Sequence, residues 1–386
     1  MLEKALQGSR QYWTWIGILS VLILVGLLAY LRQFQEGLTV TGLSRDVPWG
    51  FYIAQFTFLV GVAASAVMVV LPYYLHNYKV FGRLAVLGEF LAIAAVSMCA
   101  LFIFVDMGQP TRVMNMMLHP TPNSLMFWDF VVMMGYLTLN VVITMVTFGA
   151  ERKGVPPPGW IKPVIILSIP WAISIHTVTA FLYSGLEARA FWMTAILAPR
   201  FLASAFASGP SLLIILCLIV RRFTRFDPGR EAIRALAKIV TYALVINVFF
   251  VLVEMFTGLY THIPEHVHHF EYMFFGLEGK DALVPWMWTS QLLALTALVL
   301  LLIPGIKNKE SNLLLICIAI VAAIWIEKGL GMVVTGFIPS PLGGLTEYWP
   351  TWIEGLIAVG VYGIGLFILT VLYKIATTVR EEIGYQ

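Results

Sequence analysis

Asp129 and His176 each stand alone as an ionisable group in a long apolar run, Asp129 directly after Phe127-Trp128 and His176 within Ile173-Ser-Ile-His176. A charge at membrane depth costs at least about 2.5–3.5 kcal/mol on insertion scales, so such groups are functional candidates. Glu89, Glu254, the adjacent Glu327–Lys328 and Glu354 are placed alike, while Asp106 closes one run and Gln55 lies within another. Asp129 falls about five residues, or 8 Å, inside the end of its run, and His176 about six. Gln55, Asp106, Asp129 and His176 therefore come from four runs at similar depth. An imidazole can bond one oxygen of a bound molecule while a carboxylate takes up a released proton. A membrane-dissolved quinone, with hydrogen-bonding carbonyls and an apolar tail, fits such a niche. The alternative is that these groups satisfy one another or cap helix ends.

The elements that position them follow from composition. Of 386 residues 60% are hydrophobic and only 12% charged, with a net charge of +3. Soluble domains carry about a quarter charged residues, so lipid is the main solvent of this chain. A disordered tail and a nucleic-acid-binding domain, which needs a concentrated basic face, are excluded. A spanning helix takes about 20 apolar residues. Ten runs meet that length: Tyr12–Leu31, Gly50–Leu75, Leu84–Val105, Ser124–Phe148, Ile161–Leu182, Phe201–Val220, Ala237–Tyr260, Trp286–Leu302, Leu313–Thr335 and Thr351–Ile375. Val155-Pro-Pro-Pro-Gly159 and Phe226-Asp-Pro-Gly229 are turn-formers that separate them. The first run has no small-residue cleavage site and reads as a retained helix.

The expected fold is an all-α membrane protein of about ten transmembrane helices: two four-helix bundles plus a flanking helix at each end. The corresponding divisions are 1–49, 50–200 with the quinone niche, 201–335 and 336–386. Seventeen of the 24 Lys and Arg lie at the N-terminus, the even-numbered loops and the C-terminus, against six in the odd-numbered loops. The positive-inside rule then puts both termini in the cytoplasm of a cell inner membrane and the odd loops outside. Trp13, Trp49, Tyr73, Trp160, Trp286 and Trp349 sit at run ends, as interfacial anchors do.

Glu89, Ser65 and Asp129 could form a proton path through the first bundle, and Glu254, Glu327 and Lys328 through the second. A protonated carboxyl bonded to a hydroxyl, or a structural ion pair of Glu254 with Lys328, explains the same residues. Glu327 and Lys328 are adjacent and cannot face one another on a helix, so each needs its own partner. Only His176 among the histidines lies clearly within a run, which disfavours bis-histidine haem. His262, His266, His268 and His269 are dense but lack a zinc spacing, so no metal is expected and an outer contact surface is. Cys99, Cys217 and Cys317 lie inside apolar runs and read as core residues.

Several motifs resemble the polysulfide-reductase/NrfD family. They are Pro48-Trp-Gly50 with Gln55 and Phe58, Asp106-Met-Gly-Gln-Pro-Thr-Arg112, Pro120-Thr-Pro-Asn-Ser-Leu-Met-Phe-Trp128 and Leu197-Ala-Pro-Arg-Phe-Leu-Ala-Ser204. Tyr348-Trp-Pro-Thr-Trp-Ile-Glu354 extends the likeness to ten-span members, and within them to the DsrP branch of sulfite-reduction-linked complexes. The resemblance implies an integral membrane protein that binds menaquinone or another quinone near the outer face, with no haem or iron–sulfur cluster of its own. It implies an outer-face, ferredoxin-like iron–sulfur partner. A multihaem cytochrome c, a cytochrome b-type membrane protein and a cytoplasmic iron–sulfur protein are implied beside it, with no nucleic acid. It matches His176 to the family's hydrogen-bonding residue on the last helix of the first bundle and Asp106 to its outer acidic residue, whereas Asp129 stands where many members have a small residue. Taken with the depth argument, the expected catalytic residues are His176, Asp106 and Asp129, and the expected quinone-binding residues are Gln55, Trp49, Asp106, Trp128 and His176. Gln109 stands where the family often has Arg, which weakens an anion-binding role there. The rival readings are a secondary transporter, which places polar groups at the midplane, a proton-translocating subunit, and a structural anchor without quinone chemistry.

Overall fold

The computed structural model describes residues 2–383 except Ala64 and Arg225, with backbone alone for Leu2, Lys4, Ser65 and residues 381–383. Ten helices are long and apolar enough to cross a membrane. They are α1 (Arg10–Glu36), α2 (Phe51–Leu75), α3 (Gly82–Asp106), α4 (Leu125–Arg152), α5 (Ile161–Ser184), α6 (Leu197–Phe223), α7 (Arg230–Tyr260), α8 (Val284–Leu302), α9 (Glu310–Thr335) and α10 (Trp352–Ile383). No strand occurs among the described residues. The chain is an all-α, multi-pass membrane protein. Each helix coincides with one apolar run and often overshoots it by several residues. Hydropathy marks where lipid begins, whereas the backbone ladder of α7 already starts at Arg230 and runs through Arg234 in the polar boundary.

Helices α2–α5 pack in a ring, α2 on α3 and α5, and α4 on both α3 and α5. Helices α6–α9 form a second ring, α6 on α7 and α9, α8 on both of these. The two meet where α2 touches α6 and α9, and α5 touches α6. The terminal helices α1 and α10 pack on one another, with α10 leaning on α3. A side chain cannot fit at their crossing: a Cβ on Gly26 would lie 2.4 Å from the Gly360 backbone. Without water to drive association, close backbone approach of this kind holds membrane helices together.

Two local features set the geometry of the interior. Helix α10 starts with a capping box: Thr351 N donates to Glu354 (2.8 Å) and Glu354 N to the Thr351 hydroxyl (3.4 Å). Glu354, fully buried, also accepts from Gly42 N (2.8 Å) and the Tyr348 hydroxyl (2.5 Å), so it ties the head of α10 to the two loops that carry Gly42 and Tyr348. Its burial at the head of a span is explained by these bonds. Helix α9 is π-helical over Trp325–Gly331, between α-helical Glu310–Ile324 and Met332–Thr335. The widened turn carries Glu327 and Lys328, and Gly329 lets it approach α2, where an added Cβ would lie 3.1 Å from the Ala54 carbonyl. Such π-segments gather at functional positions.

Candidate functional site

The side of the molecule poor in Lys and Arg is called outer. In its half of the first ring, α4 and α5 bring Asp129 and Thr179 together, with the Thr179 hydroxyl 2.6 Å from Asp129 Oδ1 and 2.8 Å from the Ile175 carbonyl. One hydroxyl hydrogen serves one acceptor at a time. Ionised Asp129 accepts it; protonated Asp129 donates to Thr179, which then donates to Ile175. Asp129 therefore has a satisfied arrangement with or without its proton, as a proton-accepting group requires.

His176 lies three residues before Thr179 on α5 and is wholly buried. Neither ring nitrogen has a partner among the described residues. Whichever tautomer holds, one N–H and one lone pair are unmet, at a cost of about 1–3 kcal/mol each. Two turns further out, Tyr183 lies with its hydroxyl 2.5 Å from that of Thr57 on α2. The Thr57 hydroxyl also lies 2.7 Å from the Ile53 carbonyl, and with its hydrogen on that carbonyl it accepts from Tyr183. Above them stands an aromatic wall. Trp49 packs edge-on to Tyr183 at 5.4 Å and to Phe337 at 5.8 Å, and Trp192 lies 5.0 Å from both Tyr183 and Phe337. His176, Thr179 with Asp129 reaching in from α4, and buried Tyr183 with the rings packed on it therefore follow one another in a strip along one face of α5.

Other expected site residues fall elsewhere. Gln55 is buried, but its carboxamide oxygen accepts from Trp325 Nε1 and the Tyr362 hydroxyl, both at 2.7 Å, which turns it towards α9 and α10. Thr57 is two residues on, and at 3.6 residues per turn it occupies nearly the opposite face of α2. The structure thus separates Gln55 from the α5 strip, leaving only its Nε2 unpartnered. Asp106 is half-buried at the outer end of α3 with an unpartnered Oδ1, within electrostatic range of Tyr52 and Tyr183. Trp128 is about half exposed and gives its indole N–H to the Pro122 carbonyl (2.7 Å), so it braces its own loop instead of facing the interior. Glu89 is buried nearer the inner end and accepts from Thr144 at 3.1 Å. The side chain of Ser65 lies outside the described residues.

The second ring holds a buried charge cluster that differs from the expected Glu254–Lys328 pair. Arg200 bridges Glu254 on α7 and Glu327 on α9. Lys328 points the other way, its ammonium 4.2 Å from the centre of the Phe201 ring and 3.4 Å from the Phe201 carbonyl. Adjacent residues on a helix point in different directions and do not face one another, which separates Glu327 from Lys328. An apolar run that starts at Phe201 puts Arg200 in a loop; the helix begins at Leu197, and the guanidinium is buried.

Of the loop histidines, His269 stands apart. It is buried on the helix Pro264–Phe274, its Nδ1 bonded to the carbonyls of Thr335 (2.9 Å) and Ile338 (3.0 Å). Burial pushes its pKa from the usual 6.5 down to about 4, partly offset by those carbonyls. The unfolded chain therefore binds the extra proton first. Stability is full above pH 6.5 and falls as the pH drops towards 4, by about 3 kcal/mol in all. Thermal unfolding of the detergent-purified protein should show this loss between pH 6.5 and 4, and His269→Gln, which keeps an N–H donor, should remove most of it. An unchanged pH profile in the variant would assign the loss to other groups.

Comparison with known proteins places this geometry. Over 92% of its length the chain is 27% identical to a Halobacterium salinarum protein provisionally named as a membrane subunit of dimethyl sulfoxide reductase, covering 89% of that protein. It is 28% identical over 65% of its length to the Hdr-like menaquinol oxidoreductase integral membrane subunit of Archaeoglobus fulgidus, covering 62% of that protein. It is 22% identical over 96% of its length to the menaquinone reductase integral membrane subunit of Nitratidesulfovibrio vulgaris, covering 93% of it. The family described as polysulphide reductase, NrfD, matches residues 39–338, a stretch that takes in the α5 strip, the Arg200 cluster and the π-helical turn of α9. Sequence motifs, helix count and this match agree, and the chain belongs to the NrfD family.

Proposed function

We propose that the chain is the quinone-binding membrane subunit of a multi-subunit redox complex. In this reading it passes electrons between menaquinol or menaquinone and an iron–sulfur protein docked on its outer face. The observation that carries the proposal is the pair of nitrogens on a wholly buried His176 without a partner among the described residues, three residues before the Thr179 hydroxyl that bonds Asp129. Orphaned buried polar atoms in a native structure call for a partner, and a quinone carbonyl or quinol hydroxyl matches an imidazole. The names of the Archaeoglobus and Nitratidesulfovibrio relatives support menaquinone as the carrier.

Bound quinol supplies two electrons and two protons on oxidation, and the reverse reaction consumes them. His176 would bond one ring oxygen and hold it in place. Asp129 would accept a proton through the Thr179 arrangement, and Asp106 at the outer end of α3 would pass it to the outer surface. Trp49 and Trp192 would shield the ring from water. In this reading α2–α5 form the quinone-binding part, α6–α9, which start at Leu197 instead of the expected residue 201, form the second bundle, and the two ends form the flanking helices. Both termini lie in the cytoplasm, and the motif likeness to the DsrP branch links the complex to sulfur metabolism. The partners implied by that branch, cytochromes included, belong to the same proposal. Lipid extraction of the intact assembly should yield stoichiometric quinone that a quinone-site inhibitor displaces; a quinone-free, active assembly would overturn the assignment.

A second reading, proton translocation, draws on Glu89 and Asp129 in the first ring and on Glu254, Glu327 and Lys328 around the π-helical turn. It predicts that turnover in sealed proteoliposomes acidifies one side beyond the protons released by quinol; a strict two per quinol would exclude it.

A further inference from the structure

A groove of about 490 Å³ opens between α8 and α9, lined by no residue of the α5 strip or the Arg200 cluster. Its walls are aliphatic, among them Leu292, Leu300, Leu315 and Ala319, with Thr289, Thr296 and Asn312 as the polar members. The volume lies in the range of true ligand sites. From Leu292 to Leu300, α8 rises about 12 Å, and Thr289 adds nearly another turn, so the groove is about as long as one leaflet of a 30 Å hydrocarbon core.

The turn at one end of the groove carries two lysines. Ile306 and Asn312 line it where α8 turns into α9, and Lys307 and Lys309 lie between them in the chain. Glu310, the adjacent acid, is already engaged by Arg221 and Arg230. Across residues 221–238 and 303–310 there are eight Lys and Arg against three Asp and Glu. An apolar slot of one leaflet's length, with Lys307 and Lys309 in the turn at its end and in no ion pair among the described residues, is complementary to a two-part molecule with an acyl chain and an anionic head.

We propose that the α8–α9 groove is a binding site for one anionic phospholipid of the basic-side leaflet, its acyl chain in the slot and its phosphate at Lys307 and Lys309. The proposal is independent of the quinone assignment. Each surface lysine near an anionic headgroup is worth about a fivefold factor, so the two favour an anionic over a zwitterionic head about thirtyfold.

Native mass spectrometry of the full-length protein, with dioleoyl phosphatidylglycerol or dioleoyl phosphatidylcholine added, tests this. The wild type should retain one phosphatidylglycerol per chain with about that thirtyfold preference. Lys307→Gln with Lys309→Gln should bring the two lipids level, and Thr296→Trp, which fills the slot from its lipid-facing side, should remove the retained lipid. Equal binding of the two lipids by the wild type, or retention unaffected by Thr296→Trp, would overturn the proposal. So would displacement of phosphatidylglycerol by added menaquinone at equal concentration, which would make the slot a site for isoprenoid tails.

Discussion

His176→Ala should lower quinol-linked electron transfer at least about a hundredfold while the protein still inserts and holds its partners. The magnitude is that of removing one preorganised hydrogen-bonding group from a water-free site. Because neither ring nitrogen has a partner among the described residues, the substitution breaks no bond seen there, and the fold loses packing alone. His176→Asn, which keeps a donor and an acceptor at nearby positions, should recover part of the rate. A purely structural histidine would show the opposite pattern: rates that track the amount of assembled complex in every variant. The measurement is turnover per assembled complex with a soluble menaquinol analogue, and wild-type turnover in His176→Ala would exclude an essential contact.

Arg200→Leu should give the largest loss of stability, about 3–5 kcal/mol and enough to prevent accumulation of folded protein. The guanidinium is the shared partner of Glu254 and Glu327, so its removal leaves two buried carboxyls uncompensated at membrane depth. Breaking a buried ionic group by removing one member is far more damaging than replacing the whole set. The combination Arg200→Leu, Glu254→Gln and Glu327→Gln should therefore regain most of the folded yield. Thermal unfolding of detergent-purified protein, followed by size-exclusion profile, checks both outcomes. A stable single variant would show that the carboxyls are held protonated without Arg200.

The fold is largely legible in the sequence because lipid imposes a coarse rule: each span needs a run of apolar residues, and ten runs correspond to ten helices. Hydropathy does not show which residues just outside a run turn back into the protein. Arg200 precedes the apolar stretch of α6 and so reads as a loop residue; its partners come from α7 and α9, far along the chain. Thr57, Thr179 and Tyr183 are hidden for a different reason. Hydroxyl groups in spans usually bond their own helix backbone, and only the packing shows that Thr179 also reaches Asp129 and Tyr183 reaches Thr57. The periodicity of α2 holds a usable signal: Gln55 and Thr57 lie about 200° apart, so both cannot line one pocket. Depth alone places Gln55 with His176, and azimuth separates them. Glu354 reads as a buried charge, while its position three residues after Thr351 already matches a capping box.

The central claim is that a quinone head occupies the outer half of the first ring against His176. Photoaffinity labelling of the intact complex with an azido-substituted menaquinone, followed by peptide mapping, tests it most directly. Labels should fall on α5 between His176 and Tyr183, on α4 near Asp129 or on the Trp49 and Trp192 wall, compete with unmodified quinone and weaken in His176→Ala. Competable labelling confined to α6–α9 or to the lipid-facing sides of α1 and α10 would contradict it.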